Sequence, residues 1–310
     1  MPEPELIVTV ADGVGRLTLN RPHALNALTS VMIEGIHQAL RGWRDDPEVT
    51  SVEITGAGER GLCAGADVRA LREEVLAGRP WLGFLAAEYA MNEAIVTFGK
   101  PFVAQQRGYT MGGGLGVSAH GTRRIAHADT RFAMPETIIG FVPDVGMLWY
   151  LAHAPGELGT HLALTGTTVN ATDGVIVGLA DEVADSAPDS DLRPEQMWID
   201  DCYAGDDVPE ILGRLESHPA EGARAAAADL RQRCPLAVCV ALEAVHRVRF
   251  MGSVHEVLAQ DLVLARHLIG RPDFAEGVRA QLVDKDRTPR WQHARIEDVT
   301  RAEVLACFEA

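Results

Sequence analysis

No apolar run in the 310-residue chain approaches the roughly 20 residues that a membrane-spanning helix needs. The opening stretch, Met1 to Val14, is acidic and has neither a basic segment nor an apolar core, which argues against a secretory signal. Cysteine is scarce and unpatterned. The five thiols, at 63, 202, 234, 239 and 307, are odd in number and lack CxxC or His/Cys spacing, so neither a disulfide framework nor a metal site is expected. Unpaired thiols suit a reducing compartment, and the chain reads as cytoplasmic. Basic charge is also short: 28 Lys and Arg against 44 Asp and Glu leave a net −16. That balance argues against nucleic acid or an anionic membrane as the main partner. Any ligand carrying phosphates would need a locally basic site within this acidic field.

What remains is ordinary for a folded domain, with 47% hydrophobic and 23% charged residues. The stretch Leu6–Gly15 followed by Arg16–Asn20 reads as two short strands joined by a glycine-containing turn. Val31, Met32, Ile36, Leu40 and Trp43 have helical spacing, and Ser51–Gly56 reads as a third strand. A second helix is expected over roughly 81–98, followed by a strand at 101–106, a helix opening at the Gly112–Gly114 run, and short strands near 124–128 and 130–135. The recurring order strand, strand, helix suggests stacked ββα turns rather than a doubly wound sheet. Between Asp185 and Asp207 apolar periodicity fades while Asp, Ser and Pro accumulate, which reads as a linker or long surface excursion. Residues 220–269 have helical spacing again. The organisation expected is a core over 1–200 and a helical subdomain over 201–310.

Two glycine-rich loops each follow a strand: Cys63-Ala-Gly-Ala-Asp67 and Met111-Gly-Gly-Gly-Leu-Gly116. Neither fits a dinucleotide-binding or P-loop pattern. Glycine lets backbone N–H groups face a ligand without a side chain in the way. Two such loops brought together make an oxyanion hole for a carbonyl that becomes an enolate or a tetrahedral anion; spacing alone favours two ordinary tight turns. Glu136 lies among apolar neighbours in Phe132-Ala-Met-Pro-Glu-Thr-Ile-Ile-Gly-Phe, and Asp144 follows eight residues later. A carboxylate stripped of water becomes a better base near neutral pH. The same two acids also suit helix caps after Pro135 and Pro143, and the spacing does not separate these readings.

Asn20-Arg-Pro-His-Ala-Leu-Asn-Ala-Leu28, Cys63–Asp67, Thr110-Met-Gly-Gly-Gly114 and Ala133-Met-Pro-Glu-Thr137 resemble, in order, the successive motifs of the enoyl-CoA hydratase/isomerase (crotonase) family. The resemblance covers about residues 6–185 and implies a crotonase-like spiral of ββα turns, an α/β fold, with an acyl-CoA substrate. It implies oxyanion-hole amides at Ala66 and Gly113. One family glutamate falls at Glu136, while the position of the other holds Gly116, which points away from hydration. A narrower resemblance to the 3-hydroxyisobutyryl-CoA hydrolases rests on six further segments. These are Glu88-Tyr89, Ser118-Ala-His-Gly121, Val142-Pro-Asp-Val-Gly146, Leu162–Gly166, Asp273–Ala280 and Val283-Asp-Lys-Asp286. It implies thioester hydrolysis in valine catabolism, with Glu88, Gly113, Glu136 and Asp144 at the substrate. Coenzyme A would then be part of the substrate, with no separate cofactor. Arg69 falls where related hydratases place a coenzyme A-contacting lysine, and Arg21 and His23 lie in the loop bordering the nucleotide. Where the resemblance predicts further glycines after Val145-Gly146, this chain has Met147-Leu-Trp-Tyr, so a reshaped acyl pocket is expected. His120 reads as structural and Cys63 as a small core residue. An enoyl-CoA isomerase, which needs one carboxylate, and a non-catalytic acyl-CoA-binding paralogue are the competing readings; self-association is left open.

Overall fold

The computed structural model describes residues 3–309. Strands β1 (Leu6–Ala11) and β2 (Val14–Leu19) form the expected hairpin, and α1 (Ser30–Trp43) follows. Thr29 caps α1 by accepting the Met32 N–H at 3.3 Å, and Met32, Ile33, Ile36, Leu40 and Trp43 bury its apolar stripe. Next come β3 (Ser51–Gly56), α2 (Val68–Leu76), α3 (Leu82–Val96), β4 (Phe102–Gln106), β5 (Tyr109–Met111) and the one-turn α4 (Gly113–Gly116). Then come β6 (Arg123–Ala126), β7 (Arg131–Ala133), a 3₁₀ turn (Glu136–Ile139), α5 (Met147–Ala152) and α6 (Leu158–Thr165). Strands β8 (Val169–Asn170) and β9 (Glu182–Val183) flank α7 (Ala171–Ile176).

The main sheet has the order β1-β2-β3-β4-β6-β9, antiparallel only at the first pair. A second, three-stranded sheet runs β5-β7-β8. Each turn of the spiral places one strand in the large sheet, a shorter one in the second layer, and then a helix or helical turn. In the first two turns the second-layer strand shrinks to single bridges, Leu28 to Ala66 and Cys63 to Thr110. The α/β spiral of ββα turns expected from the sequence is therefore the fold.

The remaining helices are α8 (Gln196–Tyr203), α9 (Val208–Ser217), α10 (Glu221–Gln232), α11 (Pro235–Val248), α12 (Val254–Leu268), α13 (Pro272–Val278) and α14 (Arg301–Ala306). The stretch read as a linker is ordered in part: α8 lies inside it and buries Trp198, Ile199, Cys202 and Tyr203. Four apolar residues spread over only eight gave too short a periodicity to stand out among the surrounding acids. Buried Asp173 pins the segment before α8 by accepting bonds from the Ser190 hydroxyl at 2.6 Å and from the Asp191 and Leu192 amides. Helix α12 packs on α3 and α13 on α2, and one apolar cluster runs from Leu71 to Cys307. The boundary drawn at 200/201 falls inside α8.

Candidate active site

Five of the residues singled out in the sequence converge on one cavity of ≈ 270 Å³. Ala66 and Gly113 line it together with Glu88, Glu136 and Asp144, and Leu85, Ile138, Phe141 and Phe274 supply an apolar lining. The amide nitrogen of Ala66 lies 3.2 Å from where a Cβ on Gly113 would project, so the two glycine loops touch here. Gly65 adopts φ +110°, a conformation that turns the following amide and suits glycine. Among the described residues neither the Ala66 nor the Gly113 amide donates to a protein acceptor. Buried amides are nearly always paired, so two adjacent free N–H groups in a cavity wall mark a place for an external oxygen.

The three acids of the cavity are buried. Glu88 (1% exposed) projects from α3, Glu136 (8%) opens the 3₁₀ turn, and Asp144 (6%) follows it. Glu88 Oε1 and Glu136 Oε2 have no hydrogen-bond partner. Burial pushes both carboxyls well above the ordinary glutamate range, and the charge of Asp144 raises them further. Asp144 is pushed up to about 7 by burial, opposed by the Tyr89 hydroxyl, which donates to its Oδ2 at 2.6 Å. The Gly112 backbone passes so close that a Cβ there would stand 3.0 Å from Glu136 Oε1.

The chain belongs to the enoyl-CoA hydratase/isomerase family. That family's profile matches residues 14–193 and 183–308. Relatives from Xenopus laevis (34% identical, 97% of this chain, 88% of the relative) and Danio rerio (35%, 99%, 90%) are named 3-hydroxyisobutyryl-CoA hydrolase, mitochondrial. Two solved structures superpose over nearly the whole chain. A carnitinyl-CoA dehydratase from Mycobacterium thermoresistibile has a TM-score of 0.96 at 39% identity, with 99% of this chain and 97% of that one covered. An enoyl-CoA hydratase from Rhodobacter sphaeroides has a TM-score of 0.94 at 37%, with 98% and 97% covered.

The other residues singled out lie elsewhere. Arg21 donates to the Ala27 carbonyl at 2.6 Å and pairs with Glu5 and Asp67, so it braces its loop and does not face the cavity. His23 is exposed on a one-turn 3₁₀ helix, Pro22–Ala24. Arg69 is exposed on α2, in a groove with Arg72 and Lys285 that shares Leu282 with the cavity rim. The bulky residues after Gly146 do not line the cavity. Met147 is buried in the core and Trp149 stacks on His153 at 4.6 Å between ring centres; neither lines the acyl space. The α5 helix they begin turns their side chains away. Cys63 is fully buried with its thiol pushed up to about 12, which suits a core residue and not a nucleophile.

Two participants escaped a purely sequential reading. Tyr89 is the partner of Asp144, fifty-five residues away. Asp261 on α12 is buried, accepts the Gly146 amide at 2.8 Å and is pushed well above the ordinary aspartate range by burial and by Asp144. Its one signal in the sequence is an acid on the buried stripe of an otherwise apolar helix, Val257-Leu-Ala-Gln-Asp261-Leu-Val-Leu-Ala265.

Proposed function

We propose that this protein hydrolyses a short 3-hydroxyacyl-CoA thioester, 3-hydroxyisobutyryl-CoA above all, as a step of valine catabolism. The observation that carries the reading is the pair of unengaged amides of Ala66 and Gly113 in one cavity with a buried carboxyl, Glu136. A thioester oxygen between them gains two hydrogen bonds as negative charge develops on it, and one such donor is worth about 10²–10³-fold in rate. Glu136 takes a proton from water as the water oxygen bonds to the carbonyl carbon, or attacks directly to give a transient anhydride that water then cleaves. The carbon–sulfur bond breaks, and coenzyme A leaves as a thiolate of ordinary thiol acidity that takes up one proton. Asp144, held by Tyr89, accepts a hydrogen bond from the 3-hydroxyl, and Glu88 borders the same acyl space. The substrate brings its coenzyme A with it, and no further cofactor is needed. Its phosphates would meet Arg69, Arg72 and Lys285 beside the mouth, a basic spot on an otherwise acidic protein. A reducing compartment, the cytoplasm, is supported by five free cysteines, four of them buried; cell fractionation decides between it and the compartment in the relatives' names.

Hydration or dehydration of an enoyl-CoA is the second reading, and a specific observation favours it. Gly116 removes one family glutamate, yet the cavity still presents three carboxyls, Glu88, Glu136 and Asp144. The count of acids therefore does not exclude two-carboxylate chemistry, as the sequence alone had suggested. A panel of acyl-CoAs separates the possibilities. Thiol release from 3-hydroxyisobutyryl-CoA is the expected result. Loss of the enoyl absorbance of crotonyl-CoA would make the protein a hydratase, a shifted double bond an isomerase, and binding without turnover a non-catalytic paralogue.

A further inference from the structure

The peptide that follows Asp144 is gripped at both ends. His120, in the turn after α4, has Nε2 2.8 Å from the Val145 carbonyl. A carbonyl only accepts, so Nε2 carries the proton, and Nδ1 is left to accept from the Tyr150 hydroxyl at 3.2 Å. The N–H of the same peptide, on Gly146, donates to Asp261 Oδ2 at 2.8 Å. The grip holds an unusual backbone. Val145 sits at φ +51° and Gly146 at φ +77°. A β-branched residue with positive φ is a conformational outlier that persists only where its surroundings impose it. Both anchors are buried, and neither lines the cavity. There is no slack either: a Cβ on Gly146 would stand 2.9 Å from the His120 ring.

We propose that His120 and Asp261 are positioning residues that fix the Asp144 carboxyl by clamping the Val145–Gly146 peptide in its left-handed turn. Without the clamp Val145 relaxes to an ordinary conformation and Asp144 swings off the Tyr89 hydroxyl. Because the anchors come from the spiral core and from α12, the clamp also makes the C-terminal helices part of the site. The charge of the anchors is secondary. His120 is held neutral: burial, opposed by the bond to the Val145 carbonyl and aided by Arg124, lowers its pKa to about 4. Asp261 faces Asp144 and Glu136 in a dry space, with Tyr89 alongside, where protonation is favoured. What the anchors supply is one donor and one acceptor.

This rests on the hydrolase reading, and a double-mutant cycle tests it in the full-length protein. Wild type, D261L, D144N and D261L/D144N are compared in kcat/KM for 3-hydroxyisobutyryl-CoA and for isobutyryl-CoA, with the fold of each checked by circular dichroism. If Asp261 acts through Asp144, D261L loses at least tenfold on the hydroxylated substrate and little on the plain one. Adding it to D144N then costs less than threefold more. D261N, which keeps an acceptor for the Gly146 amide, recovers at least half of the loss on a logarithmic scale. H120Q, reached from the other end of the peptide, shifts the same substrate ratio if D261L proves too unstable to assay. Multiplicative losses in the cycle, or equal losses on both substrates, would overturn the clamp while leaving the hydrolase reading intact. A wild-type enzyme that releases no thiol from either substrate sinks both.

Discussion

Glu136 is buried, lacks a partner for Oε2, and shares its cavity with two free amides, which suits a general base or a carboxylate nucleophile. E136Q should lower kcat for thiol release by at least about 10²-fold while acyl-CoA still binds, since such groups contribute roughly 10²–10⁴-fold. Near-wild-type turnover would remove Glu136 from the chemistry. Asp144 makes a different contribution. A carboxylate accepting the acyl hydroxyl is worth about 1.5–3 kcal/mol, so 3-hydroxyisobutyryl-CoA should outrun isobutyryl-CoA by tenfold or more. The preference should grow as pH rises through about 7, where Asp144 ionises, and D144N should abolish that rise and shrink the preference most above pH 7. A ratio that ignores both pH and the substitution makes Asp144 structural only. The two glutamates, the aspartate and both amides were legible as residues. Tyr89 as the Asp144 partner and Asp261 behind it were not, because each is defined by a contact over more than fifty positions.

At the scale of elements, the one-turn α4 decides how the glycines are used. Its first residue, Gly113, offers an amide to the cavity, and its last, Gly116, lies against α3. A Cβ at Gly116 would stand 2.9 Å from both Asn92 Nδ2 and Val145 Cβ. The space that a glutamate side chain would need is thus filled by α3 and by the strained turn after Asp144. G116E should therefore destabilise the fold, lowering Tm by several degrees, and should not confer crotonyl-CoA hydration. Gain of hydration with an unchanged Tm would show that the neighbours yield. Helix α1 and strands β1 to β4 were readable from the sequence because their apolar periods are long and one-faced. The helix α2 and the ordered α8 were missed for the opposite reason. With a single fully buried residue in α2, Leu71, there is little stripe to read.

Over the whole molecule, four carboxyls with upward-pushed pKa values lie near one another: Glu88, Glu136, Asp144 and Asp261. For such a group folding favours the protonated form. The stability contributed by protonated Asp144 is full below its ordinary value of 3.8, shrinks as pH rises, and is gone above about 7. His120 and His161, both lowered to about 4, act with the opposite sign between there and their ordinary 6.5, so the bare profile of wild type mixes the two. The difference between variants isolates the acid. The Tm of D144N relative to wild type should rise between pH 5 and 7 and level off above; a flat difference would mean that Asp144 is solvated in the folded protein.

The sequence by itself determined the recurring strands and helices and the two glycine loops, through period-two and period-3.6 burial and glycine where backbone must approach a ligand. The spiral fold and the identity of the acids were legible through the order and spacing of motifs that resemble a known family. Tertiary structure decided where each residue lies. It tied Arg21 to Glu5 and Asp67, left Met147 and Trp149 off the lining of the acyl space, and filled the room beside Gly116. It also brought α12 behind Asp144, so that an aspartate from the C-terminal helices holds the peptide next to a site built by the first half of the chain. Burial and hydrogen-bond pairing are properties of the packed chain, and a carboxyl's acidity follows from them; no local stretch of residues carries that information.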